Sequence, residues 1–399
     1  MNKNVKQLYN IASKPSRTII GLMSGTSLDG LDVALCNITG NGVNTKITIS
    51  EYTTVSYDDD FKKEIKTVFS KEEVNLQKIC LLNKWVAKKH AAMINKCLLD
   101  WKINSTDIDL IASHGQTIYH APLSLHGLEK FGNGTLQIGD GDHLAINTGI
   151  ITISDFRQKH IAAGGEGAPL AAYGDYLMFK EENCDVVLLN IGGISNITYL
   201  PCKQQTHLMF SSDIGPGNTL MDGWMQQIFP GIFYDNDAAV ARRGTINEVL
   251  LKNLLDNDFL KAALPKSTGP ELFNQIYLKK AIETSAMFEI TTEDVMATLN
   301  RFTAQTIVDA IQPLIKFNTL KIYVSGGGMH NPMIMDYLKS KLTGATFHST
   351  NEKNINPDAK EAVLFAILAN ECIAGQIETF PNGLKNFPQV SMGKISFPS

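Results

Sequence analysis

No C-x-x-C pair occurs among the six cysteines of the 399-residue chain (Cys36, Cys80, Cys97, Cys184, Cys202 and Cys372). Their scatter favours reduced, buried thiols over a disulfide framework or a zinc site, and so a cytoplasmic setting. No apolar run approaches the ~18 residues a membrane span needs, and the leader MNKNVKQLYNIASKP lacks the continuous apolar stretch of a secretory signal. A basic excess is missing too. Lys and Arg number 36 against 40 Asp and Glu, a net charge of −4, so no global field can hold a phosphate backbone. Nucleic acid and membrane are therefore not expected partners, and a small molecule is. Short-period repeats, low-complexity tracts and Pro-rich linkers are also absent.

What is present is an ordinary globular composition, 44% hydrophobic and 19% charged, with 31 glycines spread along the chain. Its length exceeds what one core usually organises, so two domains are expected. Thr18–Met23, Leu31–Ile38 and Thr45–Val55 read as three strands in a β-meander, followed by helical period from about Asp59 to Trp101, with Ile79, Leu82, Val86, Ile94 and Leu98 near one face. Strand Ile108–Ser113 then precedes His-Gly-Gln-Thr. The same order restarts near Cys184: strands Val186–Ile191, Ile194–Leu200 and His207–Ser212, then Gly-Pro-Gly-Asn opening a helix. Later helices are read at Asn247–Leu255, Glu271–Ala286, Glu293–Ile311, from Asn331, and near Asp358–Ala374, with a strand at Lys321–Ser325. The restart sets the boundary: domains 1–182 and 183–399, with the last helix free to pack back on the first.

Four glycine-rich turns follow or join strands: GLMSGTSLDG at 21–30, LNIGGISN at 189–196, SDIGPGN at 212–218 and VSGGGMHNP at 324–332. Glycines at strand ends let consecutive N–H groups converge on an anion. Any one of these turns is adequately explained as plain turn chemistry. Four, two of them in matching places in two halves, point to a nucleotide. None completes G-x-x-x-x-G-K-[ST] or G-x-G-x-x-G, so neither a P-loop nor a dinucleotide fold is indicated.

Taken in order, GLMSGTSLDGLDVAL, SHGQT, LQIGD, DFR with AAGGEGAPL, LNIGGISN, DIGPGN, PKSTG and GGGMHNP resemble the anhydro-N-acetylmuramic acid kinase family across about residues 17–375. The resemblance implies a two-domain α/β fold of the sugar kinase/Hsp70/actin (ribonuclease H-like) type with a central nucleotide cleft. It further implies ATP and Mg²⁺ as cofactors and a homodimer. The activity implied is phosphorylation of 1,6-anhydro-N-acetylmuramic acid with opening of its anhydro bridge, a reaction of cell-wall recycling.

Carried over residue by residue, Gly25, Thr26, Ser27, Leu28, Asp29, Gly30, Leu31 and Asp32 match the family's ATP-phosphate segment, with Ser24, Thr26 and Ser27 adding hydroxyls. Gly192, Gly193, Gly215, Gly217, Asn218, Gly326, Gly327, Gly328 and Asn331 fall in the other nucleotide loops. Related kinases often place an acid two residues before the Gly-Thr to hold magnesium through water; Met23 stands there, and Asp29 is the substitute. Asp213 matches the catalytic aspartate that deprotonates the attacking water; on sequence alone it could equally cap the following helix. Glu361 matches an acidic position assisting the water or metal, against the plain reading of a solvated helix glutamate. Ser113, His114, Gln116 and Thr117 resemble a segment near the sugar. Arg157 is read as gripping substrate oxygens with Asp155 beside it, the bland alternative being an Asp155–Arg157 pair that fixes the loop. A metal at His114 and His120 is not expected, because no acid sits at ligand spacing.

Departures from the family pattern are His160 for Asp, Glu166 for Gln, Pro270 for Arg, and Pro388-Gln389-Val390-Ser391 in place of its usual tail. They keep two alternatives in view: a kinase for another 1,6-anhydrosugar such as levoglucosan, and a non-catalytic nucleotide-switched binding protein.

Overall fold

The computed structural model describes all residues except 169, 203–207, 270, 286–288, 316–319, 350–351, 353–358 and 377–387. It divides into two compact units, Met1–Met178 with Asn354–Ser399, and Phe179–Lys353.

The first unit's strands are β1 (Ser16–Ser24), β2 (Gly30–Thr39), β3 (Lys46–Ser56), β4 (Leu110–Ala121), β5 (Gly134–Ile138) and β6 (Thr152–Ser154), and the second's are β7 (Val186–Ile191), β8 (Ile194–Leu200), β9 (Phe210–Pro216), β10 (Leu320–Ser325) and β11 (Ala345–Ser349); β12 (Lys394–Ser396) returns to the first. The helices of the first unit are α1 (Lys3–Ala12), α2 (Asp59–Lys66), α3 (Leu76–Trp101), α4 (Leu123–His126), α5 (Gly141–Thr148), α6 (Phe156–Ala162) and α7 (Ala171–Phe179), whose last residue opens the second. Those of the second are α8 (Thr219–Ile228), α9 (Glu248–Leu255), α10 (Asp258–Lys261), α11 (Gln275–Thr284), α12 (Thr292–Ile311) and α13 (Pro332–Lys341); α14 (Lys360–Ala374) belongs to the first.

Both sheets share one plan. In the first, the order is β12-β6-β4-β1-β2-β3, with β1, β2 and β3 antiparallel and β1, β4 and β6 parallel. In the second it is β11-β10-β7-β8-β9, with β7, β8 and β9 antiparallel and β7, β10 and β11 parallel. A three-strand meander followed by two parallel strands on the far side of its first strand is the ribonuclease H-like order, present twice. The parallel strands need crossovers, and helices supply them.

Two expectations need correction. The helical stretch 59–101 is two helices, because Asp58 caps α2 through Phe61 N–H at 2.7 Å and Asn75 caps α3 afresh through Lys78 N–H at 3.0 Å. His-Gly-Gln-Thr lies inside β4 rather than after it, with Gly115 at φ +75 bending the strand. The last helix, left free to pack back on the first domain, packs on β1, β2 and β4 as α14. That helix is buried from Ala362 through Glu371, so it is covered almost all round. A Cβ at Gly21 of β1 would sit 1.9 Å from the Ala362 carbonyl oxygen, so only glycine permits this approach. A polar lock holds the helix's other end. Arg17 Nε donates to Asn370 at 2.6 Å, Asn370 Nδ2 donates to Gly40 O at 3.1 Å, and Glu371 accepts Gly42 N–H at 2.9 Å.

The second core gathers Val295, Leu299, Phe302 and Ile307 of α12 with Val187 and Leu189 of β7 and Ile322 and Val324 of β10 in one buried cluster, and α12 packs on β9. Among the described residues no helix is long and apolar enough to cross a membrane.

Candidate active site

In the first unit, β1 and β2 pair out to Ser24 and Leu31, which leaves residues 25–29 and the start of β2 as a tight turn. Leu28 adopts φ +61, a conformation costly for a branched side chain, and buries that side chain in the core at 3% exposure. The anchor leaves Thr26, Ser27 and Asp29 exposed to solvent. Not every residue of this segment can serve a ligand through its side chain. Leu28 and Leu31 are core residues able to offer main chain only, and Gly30 is a packing glycine whose added Cβ would lie 2.6 Å from Val55 O. Ser24 is 1% exposed, so its hydroxyl is not turned outward with those of Thr26 and Ser27.

Asp32 sits directly opposite Met23 in the β1–β2 register. Its carboxylate accepts from Tyr52 Oη at 3.1 Å and Thr54 Oγ1 at 2.5 Å. Glu361, in the first turn of α14, has its carboxyl pushed up by desolvation; Arg157 opposes that rise and the Asp32 charge adds to it. Glu361 is open to solvent, in keeping with the plain reading, yet densely surrounded on its other side. Among the described residues no group of three or more His, Cys, Asp or Glu side chains could hold a metal ion.

The residues around DFR form a second construction. Asp155, at φ +60, precedes α6 and pairs with Lys394 of β12 instead of Arg157, so the alternative of an Asp155–Arg157 pair is not what forms. Arg157 donates from Nε to His114 Nε2 at 2.9 Å and from Nη1 to Gly167 O at 2.7 Å, which fixes the plane of its guanidinium and leaves hydrogens on both Nη atoms. Gly167 N–H in turn donates to His160 Nδ1 at 2.9 Å. His160 is fully buried, and a Cβ at Gly165 would press on its ring at 2.2 Å. His160 thus supplies an acceptor that holds the glycine-rich loop. Glu166 stands half-buried in that loop, while Pro270 lies outside the described residues.

Of the four strand residues read as sugar-facing, Gln116 is fully buried and its amide is consumed by Ser24 Oγ, Gly25 O and Thr117 O. It braces the turn and has no exposed atom for a sugar. Thr117 is half-buried and accepts from Gln137 Nε2 at 3.1 Å. Ser113 and His114 are buried, yet Ser113 Oγ and His114 Nδ1 meet no hydrogen-bond partner among the described residues. Both border a polar cavity of about 240 Å³ with Asn83, Asp140, Asp155 and Lys394.

In the second unit, Asp213 lies within β9, which continues past it to Pro216; the sequence reading had ended the strand at Ser212. It does not cap α8, whose N-cap is Asn218. Its carboxylate instead accepts from Ser267 Oγ at 3.0 Å and Thr268 N–H at 3.0 Å, while its own N–H donates to Lys266 O at 3.0 Å. The Pro-Lys-Ser-Thr-Gly segment therefore clamps this acid. Ser267 and Thr268 were not singled out from the sequence, although that motif was in view.

The glycines of this unit separate by geometry. Gly217 and Asn218 donate main-chain N–H to Gly193 O and Gly192 O, both at 2.8 Å, stitching the β7–β8 turn to the entry of α8. Added Cβ atoms would strike Gly192 O 2.1 Å from Gly217, Ile191 O 2.6 Å from Gly326, and the Ile191 side chain 2.2 Å from Gly328. These three are packing glycines. Gly215, at φ +155, lies 3.0 Å from Thr306 Oγ1 by the same measure, and Gly193 2.8 Å from Thr219 Oγ1. Gly192 and Gly327 have room: a Cβ at Gly327 meets only Asn218 Nδ2, at 3.6 Å. Asn331 spends its side chain capping α13 and donating to Asn300 at 2.6 Å, which positions the Gly326–Gly328 turn rather than reaching outward.

Two ribonuclease H-like units, each with open glycine turns at strand ends, and a clamped carboxylate define a protein of the sugar kinase/Hsp70/actin class. The sequence pattern of the anhydro-N-acetylmuramic acid kinase family matches residues 17–397, and the chain belongs to that family. It is 55% identical over 400 residues, all of both chains, to the anhydro-N-acetylmuramic acid kinase of Pseudoalteromonas atlantica, and 54% identical to that of Pseudoalteromonas translucida over the same full span. Identity to the one from Caldanaerobacter subterraneus subsp. tengcongensis is 37%, over 98% of this chain and 99% of the relative.

Proposed function

We propose that this chain is an ATP-dependent kinase that opens the 1,6-anhydro bridge of anhydro-N-acetylmuramic acid with water and phosphorylates O6. The products are N-acetylmuramic acid 6-phosphate and ADP, the reaction serves cell-wall recycling in the cytoplasm, and the enzyme is a homodimer. The observation that carries the reading is the Asp213 carboxylate, held by Ser267 and Thr268 with lone pairs to spare. Full-length identity to kinases of that name supports it.

In this mechanism Asp213 takes a proton from water as the water oxygen bonds to the anomeric carbon. The bridging C1–O bond breaks, its electron pair stays on O6, and O6 attacks the γ-phosphorus as ADP departs. The Gly25–Gly30 turn of the first unit, with Thr26 and Ser27, and the Gly192–Gly193 and Gly326–Gly328 turns of the second each offer backbone N–H groups suited to phosphate oxygens. Arg157, fixed through two of its donors, keeps hydrogens for substrate oxygens such as the lactyl carboxylate.

Magnesium fits the first unit as a water-rich ion, for which one or two carboxylates suffice. Asp29 on the exposed turn, with water completing the shell, would hold it, and when bound it would neutralise phosphate charge.

The experiment is ADP release by purified protein with ATP and a panel of 1,6-anhydrosugars. Release with anhydro-N-acetylmuramic acid well above levoglucosan supports the proposal. Preference for levoglucosan moves the substrate, and slow sugar-independent hydrolysis alone makes the chain a nucleotide switch.

A further inference from the structure

Behind the turn at residues 25–29, four side chains form a single hydrogen-bonded file. His90 Nε2 lies 2.9 Å from Tyr57 Oη, Tyr57 Oη lies 2.7 Å from Ser24 Oγ, and Ser24 Oγ bonds Gln116 Oε1. None of the four is more than 4% exposed. The direction of the file is settled at its far end. Gln116 Nε2 donates to Thr117 O at 3.1 Å and Gly25 O at 3.4 Å, so its oxygen is the atom facing Ser24. An amide oxygen only accepts, hence Ser24 spends its one hydrogen there. Tyr57 must then donate to Ser24, and His90 must carry its hydrogen on Nε2 to donate to Tyr57. Every donor points toward the turn.

The last acceptor, Gly25 O, also receives Leu28 N–H at 3.4 Å across the turn. Because the peptide is planar and trans, fixing that carbonyl fixes the Thr26 N–H on the opposite edge of the same unit. Ordered donors of this kind hold charge without reorganising when ligand arrives.

We propose that His90, Tyr57, Ser24 and Gln116 are positioning residues that aim the main-chain donors of the Gly25–Gly30 turn at the nucleotide's phosphates. The inference rests on reading that turn as the ATP-phosphate segment. It differs from simple core packing in one respect: the file acts on ATP and leaves the sugar alone.

The test is steady-state kinetics of the full chain for Ser24→Ala, Tyr57→Phe, their double variant, His90→Leu and His90→Gln. Each of Ser24→Ala, Tyr57→Phe and His90→Leu should raise KM for ATP about 3- to 10-fold, the size of a lost neutral hydrogen bond, with KM for the sugar within about twofold. The double variant should be no worse than its more severe parent, since both act through one link. His90→Gln keeps an N–H donor and should recover most of the loss. Should Ser24→Ala fail to fold, Tyr57→Phe and the two His90 variants decide alone. Unchanged KM for ATP, an equal rise in both KM values, an additive double variant, or no recovery in His90→Gln would each overturn the file while wild-type turnover upholds the kinase reading. Wild type without ATP-dependent turnover removes both.

Discussion

Arg157 donates through Nε to His114 Nε2 at 2.9 Å, a bond the imidazole can accept only while it is neutral. Burial, with the Arg157 charge beside it, pushes His114 down from 6.5 to about 3, and burial likewise pushes His90 down to about 4. Two rings within the first unit are thus held unprotonated where an unfolded chain would take up protons.

Acid should therefore weaken this protein. Below the ordinary histidine value of 6.5 the unfolded state binds more protons than the folded one, so stability falls as pH drops from about 6.5 toward 4, by up to ~1.4 kcal/mol per pH unit for each histidine. Urea midpoints between pH 7.5 and 5 measure it. His114→Gln should show a shallower dependence than wild type; parallel curves would remove His114 from the account.

Asp213→Asn should lower sugar-dependent turnover ~10²–10⁴-fold with ATP binding near normal, because the amide keeps the shape of the carboxylate but cannot take the water's proton. Ser267→Ala, which deletes one of the two clamping donors, should cost about tenfold. If Asp213→Asn turns over normally, the base is another residue.

Two of the open glycines, one in each unit, give a cleaner test of nucleotide binding than the rest. Gly25→Val and Gly327→Val each place a side chain where the nearest atom beyond the chain neighbours is a polar side-chain tip at 3.5 or 3.6 Å, so both should fold. Each should weaken ATP binding in calorimetry by at least about tenfold, since backbone must approach phosphate there. Gly217→Ala and Gly326→Ala, whose Cβ atoms would lie 2.1 and 2.6 Å from main-chain oxygens, should instead lose stability. Unchanged ATP affinity in both valine variants would return these turns to plain chain reversal.

The doubled strand order was legible because each meander carries its own alternation and its own glycine turn; Val186–Ile191 and Ile194–Leu200 stand where they were expected. The short edge strand β11 and the strand β5 were not read, because five residues such as Ala345–Ser349 give too little period to separate from loop. The return of α14 rests on Gly21 and Asn370, long-range contacts with no local signature. Glycine-rich motifs marked the proposed nucleotide turns yet could not sort open glycines from packing ones, since that depends on the carbonyl lying opposite. Tyr57 and His90 escaped notice for a related reason: each is an ordinary core residue until the fold brings Ser24 and Gln116 against it.

In the proposed mechanism Asp213 deprotonates water and not a sugar hydroxyl, because a 1,6-anhydrosugar has no free O6 hydroxyl. Reaction in ¹⁸O-labelled water, sampled early while anomeric exchange is slow and read by mass spectrometry, tests this. One labelled oxygen is expected on the anomeric carbon of the sugar phosphate, with the unlabelled bridge oxygen joined to phosphorus. Sugar phosphate without label at early times, or faster turnover of a free 6-hydroxyl sugar than of the anhydrosugar, would contradict it.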